Sequence, residues 1–210
     1  MKNLSPRLDE VEVAYRQRHD TVLLKLAVNL RDYVQDSVRG QPRIDRVTAR
    51  AKDIDRFVKK AAVMVDGKPK YAEPLSQIQD QIGARIVVFY KSDVDRIDAI
   101  VKRYFTAIEY RKVVPDSESE FGYFGHHLIL AIPSDILEEG MPSEQVPAFF
   151  ELQIKTLFQH AWSEADHDLG YKPGEAALSP EQKRLVAFTS AQAWGADHLF
   201  DQLFTDRARG

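Results

Sequence analysis

The sequence contains no cysteine, an absence that removes disulfides, thiolate zinc sites and cysteine nucleophiles together. It suits a reducing, cytoplasmic setting, and any catalysis must come from other side chains. No stretch approaches the roughly 18 uncharged apolar residues of a membrane span. Met1 to Arg18 alternates charged with apolar residues, so it lacks a signal-peptide core. A soluble, unexported protein without a membrane partner is the expectation. Internal repeats and low-complexity segments are also missing. Net charge is only −3 over 210 residues, which argues against a chain that coats nucleic acid, so no stable nucleic-acid partner is expected.

What is present is a chain 44% hydrophobic and 29% charged, enough for one core and short for two. Its charge is unevenly spread. Between Arg39 and Lys70 stand ten Lys or Arg against four Asp, a local balance of +6 that leaves −9 for the rest of a chain totalling −3. Such a run is either a solvated helix face or a phosphate-binding surface.

Leu23, Leu26, Leu30, Tyr33 or Val34, and Val38 recur at helical spacing before Gly40-Gln41-Pro42, predicting a long first helix over about 8–38. A short strand at 44–48 and a helix at 53–64 follow. Gly83 to Tyr90 is an almost unbroken apolar and β-branched run, the pattern of a central strand covered on both faces. A helix at 92–105, capped by Ser92 or Asp93, turns Val94, Ile97, Val101 and Tyr104 inward. Strands at 108–114, 127–132 and 149–156 precede a helix at 157–169. Ser179-Pro180-Glu181-Gln182 is a capping box with a first-turn proline, opening a last helix to about 204. Long loops are expected near 66–73 and 115–120. The order predicts an α/β or α+β domain, a mixed central sheet flanked by helices.

Some residues fit a purely structural reading poorly. In 149–155, Phe150, Leu152 and Ile154 share one face of a strand while Glu151, Gln153 and Lys155 share the other. Arg85 is the single charge in the apolar run, and a buried arginine must be paired or serve a ligand. Asp80 lies at that strand's entrance, where active-site groups commonly sit. Two carboxylates on neighbouring strands suit Mg²⁺; an ordinary turn acid and a solvated strand face are the plainer alternatives. Gly122-Tyr123 and Gly125 place glycines around a ring just before a strand, the chemistry of a tight loop. His160, Glu164 and His167 share one helix face. No HExxH accompanies them, and capping or core-edge histidines are commoner than zinc ligands.

In order, these residues resemble the RelA/SpoT-type nucleotide pyrophosphotransferases from about Thr48 to Tyr171. The family's Arg-x-Lys with a later basic residue is matched by Arg50-Ala51-Lys52 and Lys60. Its Asp-x-x-Gly-x-Arg-Ile is matched by Asp80 to Ile86, its Gly-Tyr-x-x-x-His by Gly122-Tyr123 and His127, and its Glu-x-Gln-x-(Arg/Lys)-Thr by Glu151 to Thr156. The helix from His160 through His167 to Tyr171 is similar to that of small, single-domain members. The resemblance implies a nucleotidyltransferase-like synthetase fold that makes (p)ppGpp from ATP and GDP or GTP, as a GTP diphosphokinase of the stringent response. It implies that Arg50 and Arg85 hold the donor adenine, that Lys52 and Lys60 meet the ATP phosphates, and that Asp80 and Glu151 bind Mg²⁺. It also assigns Tyr123 to stacking on the acceptor base, with His127, Gln153, Lys155, His160 and His167 completing the acceptor side. Glu151 is the family's candidate for taking the 3′-hydroxyl proton. Arg56 and Gly125 stand where the family usually has serine.

Two other outcomes fit the same residues: a toxin-type relative that modifies the 3′ end of tRNA or adenine nucleotides, and a nucleotide-binding regulator without turnover. The expected division is an N-terminal helical extension (1–42), a synthetase domain (43–175) and a C-terminal helix (176–210). The first helix, and the last with Leu185, Phe188, Trp194, Leu199 and Phe204, carry more apolar surface than a small sheet needs, so a homo-oligomer is expected.

Overall fold

The computed structural model describes residues 5–113, 121, 125–170 and 178–209. Tyr123, Gly122, Tyr171 and the loop expected at 115–120 lie outside them. A five-stranded sheet forms the centre, in the order β1 (Ile44–Ala51), β4 (Ile82–Val88), β7 (Phe149–Thr156), β6 (Gly125–Ala131), β5 (Ala107–Val113). Only β4 and β7 are parallel; their neighbours run antiparallel. The sheet is mixed, as the alternation of helical and strand patterns predicts.

Period-two alternation gives the sheet two chemically different faces. Ile82, Ile86 and Val88 of β4, Phe150, Leu152 and Ile154 of β7, and Leu128 and Leu130 of β6 are fully buried. They pack under α2 (Leu24–Ser37), whose Leu26, Leu30 and Val34 are buried, and α5 (Lys91–Tyr104), which adds Val94, Ile97 and Val101. The other face carries Arg85, Glu151 and Gln153 and meets α6 (Leu157–Gly170). The last helix, α7 (Pro180–Arg209), lies across the C-terminal ends of β4 and β7. Thr156 Oγ1 donates to Asp197 at 2.7 Å, Ser92 N donates to Asp201 at 2.9 Å, and Phe204 stacks on Tyr90 at 4.5 Å.

Several expectations change in detail. The first helix is α1 (Ser5–Arg18), a π-helical turn (His19–Leu23) and then α2. Thr21 Oγ1 donates back to the Gln17 carbonyl at 2.7 Å, the bond by which a threonine loosens a helix. α3 (Ile54–Ala61) is shorter than 53–64, with Asp53 capping it by accepting from Arg56 N at 3.1 Å. After it comes a hairpin, β2 (Met64–Val65) and β3 (Lys68–Pro69), instead of a long loop. Asp66 and Gly67 both have positive φ, 49° and 73°, the two-residue turn that an Asp-Gly pair favours. A single-turn helix, α4 (Pro74–Gln77), follows.

α5 starts at Lys91, so neither Ser92 nor Asp93 is its cap. Asp93 sits in the first turn, almost completely buried, where Arg43 and Arg96 donate to it at 2.8 and 2.9 Å and Tyr90 N reaches it at 3.3 Å. Tyr104, expected inward, is exposed, because Phe105 fills the core beside Phe150 instead. The capping box of α7 forms as its sequence predicts: Ser179 N donates to Gln182 Oε1 at 2.8 Å and Gln182 N to Ser179 Oγ at 3.2 Å.

Candidate active site

The polar sheet face acquires its geometry from register. β4 and β7 set Gly83 against Glu151 and Arg85 against Gln153, while β6 sets His127 against Gln153. On the other edge of β4, Thr48 lies opposite Arg85 and Arg50 opposite Gly83. This patch opens into a cavity of about 510 Å³ whose lining includes Arg50, Lys52, Asp80, Arg85, Glu151, Gln153, His160 and Glu164. Arg46 and Arg56 also line it. Four of the ten basic residues of the 39–70 segment, Arg46, Arg50, Lys52 and Arg56, thus line the cavity, and the field they create favours a polyanionic ligand.

Asp80 is the hub of the donor side. Lys52 Nζ lies 2.8 Å and Lys60 Nζ 2.9 Å from its Oδ2. Burial pushes the Asp80 carboxyl up, but the two lysines outweigh it and hold it below the usual carboxylate range. Its other oxygen, Oδ1, is buried without a hydrogen-bond partner among the described residues. The loop carrying it is fixed from behind. Arg18 donates to the Leu75 carbonyl at 2.7 Å and to Gln81 Oε1 at 3.0 Å, and Lys52 N donates to the Gln81 carbonyl at 2.8 Å. Tyr15, stacked on Phe57 with centroids 3.6 Å apart, donates to the Lys52 carbonyl at 2.8 Å.

Glu151 anchors the other side. His127 Nδ1 lies 2.8 Å from its Oε1, and Gln153 Nε2 donates to Oε2 at 2.8 Å. Burial raises this carboxyl, and His127 with Gln153 more than reverses that, so Glu151 is ionised at neutral pH. Asp80 and Glu151 thus supply two carboxylates on one cavity wall, one with an open buried oxygen. This oxygen-only set fits Mg²⁺, which takes one or two carboxylates together with phosphate oxygens and water.

Arg85 finds the partner that its burial demands. Its Nη1 donates to Glu164 Oε1 at 2.6 Å and lies 3.0 Å from His160 Nδ1, with Gln153 Oε1 at 3.4 Å from Nη2. Burial first, and the Arg85 charge second, hold the His160 pKa down. The imidazole is therefore neutral at physiological pH, with Nδ1 free to accept from the guanidinium.

The structure brings Arg50, Lys52, Asp80, Arg85, Glu151, Gln153 and His160 around one cavity, with Lys60 and His127 bonded to its two carboxylates. Lys155 and His167 are also outside its lining. His167 is exposed on α6, its pKa held down by burial and then by the cavity residues Arg56 and Arg50. Lys155, expected on the polar face, is almost wholly buried and donates to Ser163 Oγ at 3.1 Å; burial and then Arg85 lower its pKa to about 7. Glu164 is the residue that sequence reasoning left without a role. The signal was present in two halves: an arginine that needed an acid, and an acid four residues after His160.

Comparison with known proteins follows the same residues. The model of the family described as "Region found in RelA / SpoT proteins" matches residues 49–176. GTP pyrophosphokinase YjbM of Bacillus subtilis (strain 168) is 27% identical over 167 residues, covering 76% of this chain and 71% of that protein. The crystal structure of small alarmone synthetase 1 from Bacillus subtilis superposes with a TM-score of 0.69 at 22% identity, covering 98% of this chain and 100% of that one. The same synthetase bound to its product pppGpp gives 0.66 at 22% identity, covering 97% and 100%.

Proposed function

Because the chain belongs to the RelA/SpoT family, we propose that it transfers the β,γ-pyrophosphate of ATP to the ribose 3′-hydroxyl of GDP or GTP, making (p)ppGpp in the cytoplasm. The observation that carries this reading is the pairing of Asp80 and Glu151 on one wall of a cavity lined by Arg46, Arg50, Lys52, Arg56 and Arg85. A carboxylate pair inside a cationic cavity is what transfer between two phosphorylated nucleotides requires, because positioning and charge neutralisation supply most of its rate. The same reading takes 43–175 as the catalytic domain, flanked by helical segments at 1–42 and 176–210.

In the transfer, the acceptor 3′-oxygen forms a bond to the β-phosphorus, the bond from that phosphorus to the α,β-bridging oxygen breaks, and AMP leaves. Glu151, ionised and oriented by His127 and Gln153, accepts the hydroxyl proton. Arg50 and Arg85 hold the donor base, Arg85 being set at its angle by Glu164 and His160. Lys52 and Lys60 move from Asp80 onto the phosphates, which frees that carboxylate. Asp80 and Glu151 would hold Mg²⁺, which would supply charge neutralisation for the transferred group. His127, Gln153 and His160 face the acceptor side, and Tyr123 stacks on its base; Lys155 supports that wall from within, and His167 on α6 feels the charges of Arg56 and Arg50.

The test is incubation with γ-labelled ATP and Mg²⁺, with GDP, GTP, ATP or bulk tRNA offered as acceptor. Label on GDP or GTP is expected, and Glu151→Gln should lower the rate by about 100-fold or more. Label on tRNA or adenine nucleotide alone transfers the protein to the toxin-type reading. Transfer to no acceptor leaves a binding regulator.

A further inference from the structure

A second cavity lies on the far side of α6. It measures about 250 Å³ and shares no lining residue with the first. α6 is the partition: His160 and Glu164 face the candidate active site, while Gln159 and Trp162, on the helix's other side, line the second cavity with Trp194 and Asp197 of α7. Lys91, Lys112 and the exposed Asp95, which lies 3.8 Å from His126, complete its charged part.

The second cavity has an acceptor waiting in its floor. Asp197 is only 2% exposed; its Oδ2 accepts from Thr156 Oγ1 at 2.7 Å, and its Oδ1 is buried without a partner among the described residues. A buried acceptor in that state calls for a donor from a ligand or ordered water. Water alone leaves the rest of the lining unexplained. Trp162 has already spent its indole N–H on the Val186 carbonyl and Thr189 Oγ1, both 3.2 Å away, so only its π-surface remains to be used. Trp194 packs against His198 at 3.8 Å and Phe121 at 5.9 Å. His198 Nδ1 donates to the Trp194 carbonyl at 2.8 Å, leaving Nε2 to accept from Lys91 Nζ at 2.6 Å. Lys112 is exposed at the mouth. From floor to mouth the cavity offers an acceptor, two indoles and two cations, with one further carboxylate, Asp95, turned largely to solvent.

We propose that this cavity is a binding site for an aminopurine nucleotide, with the exocyclic amine on Asp197 Oδ1, the base against the tryptophans and the phosphate at Lys91 and Lys112. Only one carboxylate oxygen is open, so one N–H donor suffices, and adenine and guanine both supply it. Aromatic stacking tolerates either base. The site is independent of the reaction at the first cavity.

The chain's two tryptophans are Trp162 and Trp194, so intrinsic tryptophan fluorescence reports this cavity directly. Titration with GMP, AMP and guanosine should give a saturable change for at least one nucleotide, retained in Glu151→Gln. Asp197→Asn, which keeps a partner for Thr156, should weaken binding about tenfold or more. Lys112→Ala, at an exposed position, should weaken the nucleotide severalfold and leave guanosine unchanged; it decides the matter if the Asp197 variant does not fold. Absence of a saturable change at millimolar nucleotide overturns the proposal. So does a change indifferent to both Asp197→Asn and Lys112→Ala, whatever Glu151→Gln does to it, because the signal would then come from elsewhere on the molecule.

Discussion

At the scale of single residues, Arg85, proposed above to hold the donor base, is both part-buried and available. Its side chain is 18% exposed, and Glu164, at 48%, closes it from the solvent side. An acid this exposed contributes little stability through its charge alone. Its larger effect is on the guanidinium's angle, and Glu164→Gln should therefore raise KM for ATP several-fold while changing melting temperature little, as steady-state kinetics with varied ATP and thermal unfolding would show. Equal effects on both substrates' KM would remove Arg85 from the donor side. Lys155 is the opposite case, buried at a cost that depends on pH. Its pKa is about 7 in the folded chain against an ordinary 10.5. Between those values the unfolded chain holds a proton that the folded chain lacks, so stability rises with pH across that window and is lost as pH falls toward 7. Lys155→Met should flatten the rise, which urea titrations at neutral and alkaline pH would measure.

At the scale of elements, two glycines separate backbone conformation from packing. A Cβ added at Gly67 or at Gly195 meets nothing within 4 Å, so sterics with neighbours are equal. Gly67 sits at φ +73° in the β2–β3 turn, and Gly67→Ala should cost about 1–2 kcal/mol. Gly195 lies inside the helix α7, and Gly195→Ala should add about 1 kcal/mol. Denaturant unfolding of the two variants should move in opposite directions.

The same elements show what was legible beforehand. β4 could be read because its run is almost unbroken apolar and β-branched, and β7 because its alternation is strict. The β2–β3 hairpin was missed because each strand has only two residues, too few for any period. Asp66-Gly67 was the remaining signal. The π-helical turn was hidden because apolar spacing continues through it. In the site, the carboxylates and cations were visible as motifs. Lys155 leaves from the expected face; its burial could not be read because strand alternation does not say whether a helix covers that face.

At the scale of the whole molecule, α7 carries two surfaces. Successive helical residues turn by 100°, or 3.6 residues per turn, which puts Leu185, Phe188, Leu199 and Leu203 within about 60° of arc. All four are between 59% and 64% exposed. Ser190 and Asp197, on the opposite side, are buried against the body of the protein. Phe204, counted from sequence as spare apolar surface, is taken by Tyr90 and Arg43 of its own chain. A 30-residue helix with an outward stripe of large apolar side chains is costly in water unless another surface covers it, and a second copy of the chain is the covering we propose. Multi-angle light scattering should give a mass above the 24.0 kDa of one chain. Leu199→Glu with Leu203→Glu should lower it to one chain while leaving the circular dichroism spectrum unchanged, since neither side chain touches the core. A single-chain mass for the unaltered protein would assign the stripe to a different partner, and an unchanged mass in the double variant would place the subunit contact elsewhere on the molecule.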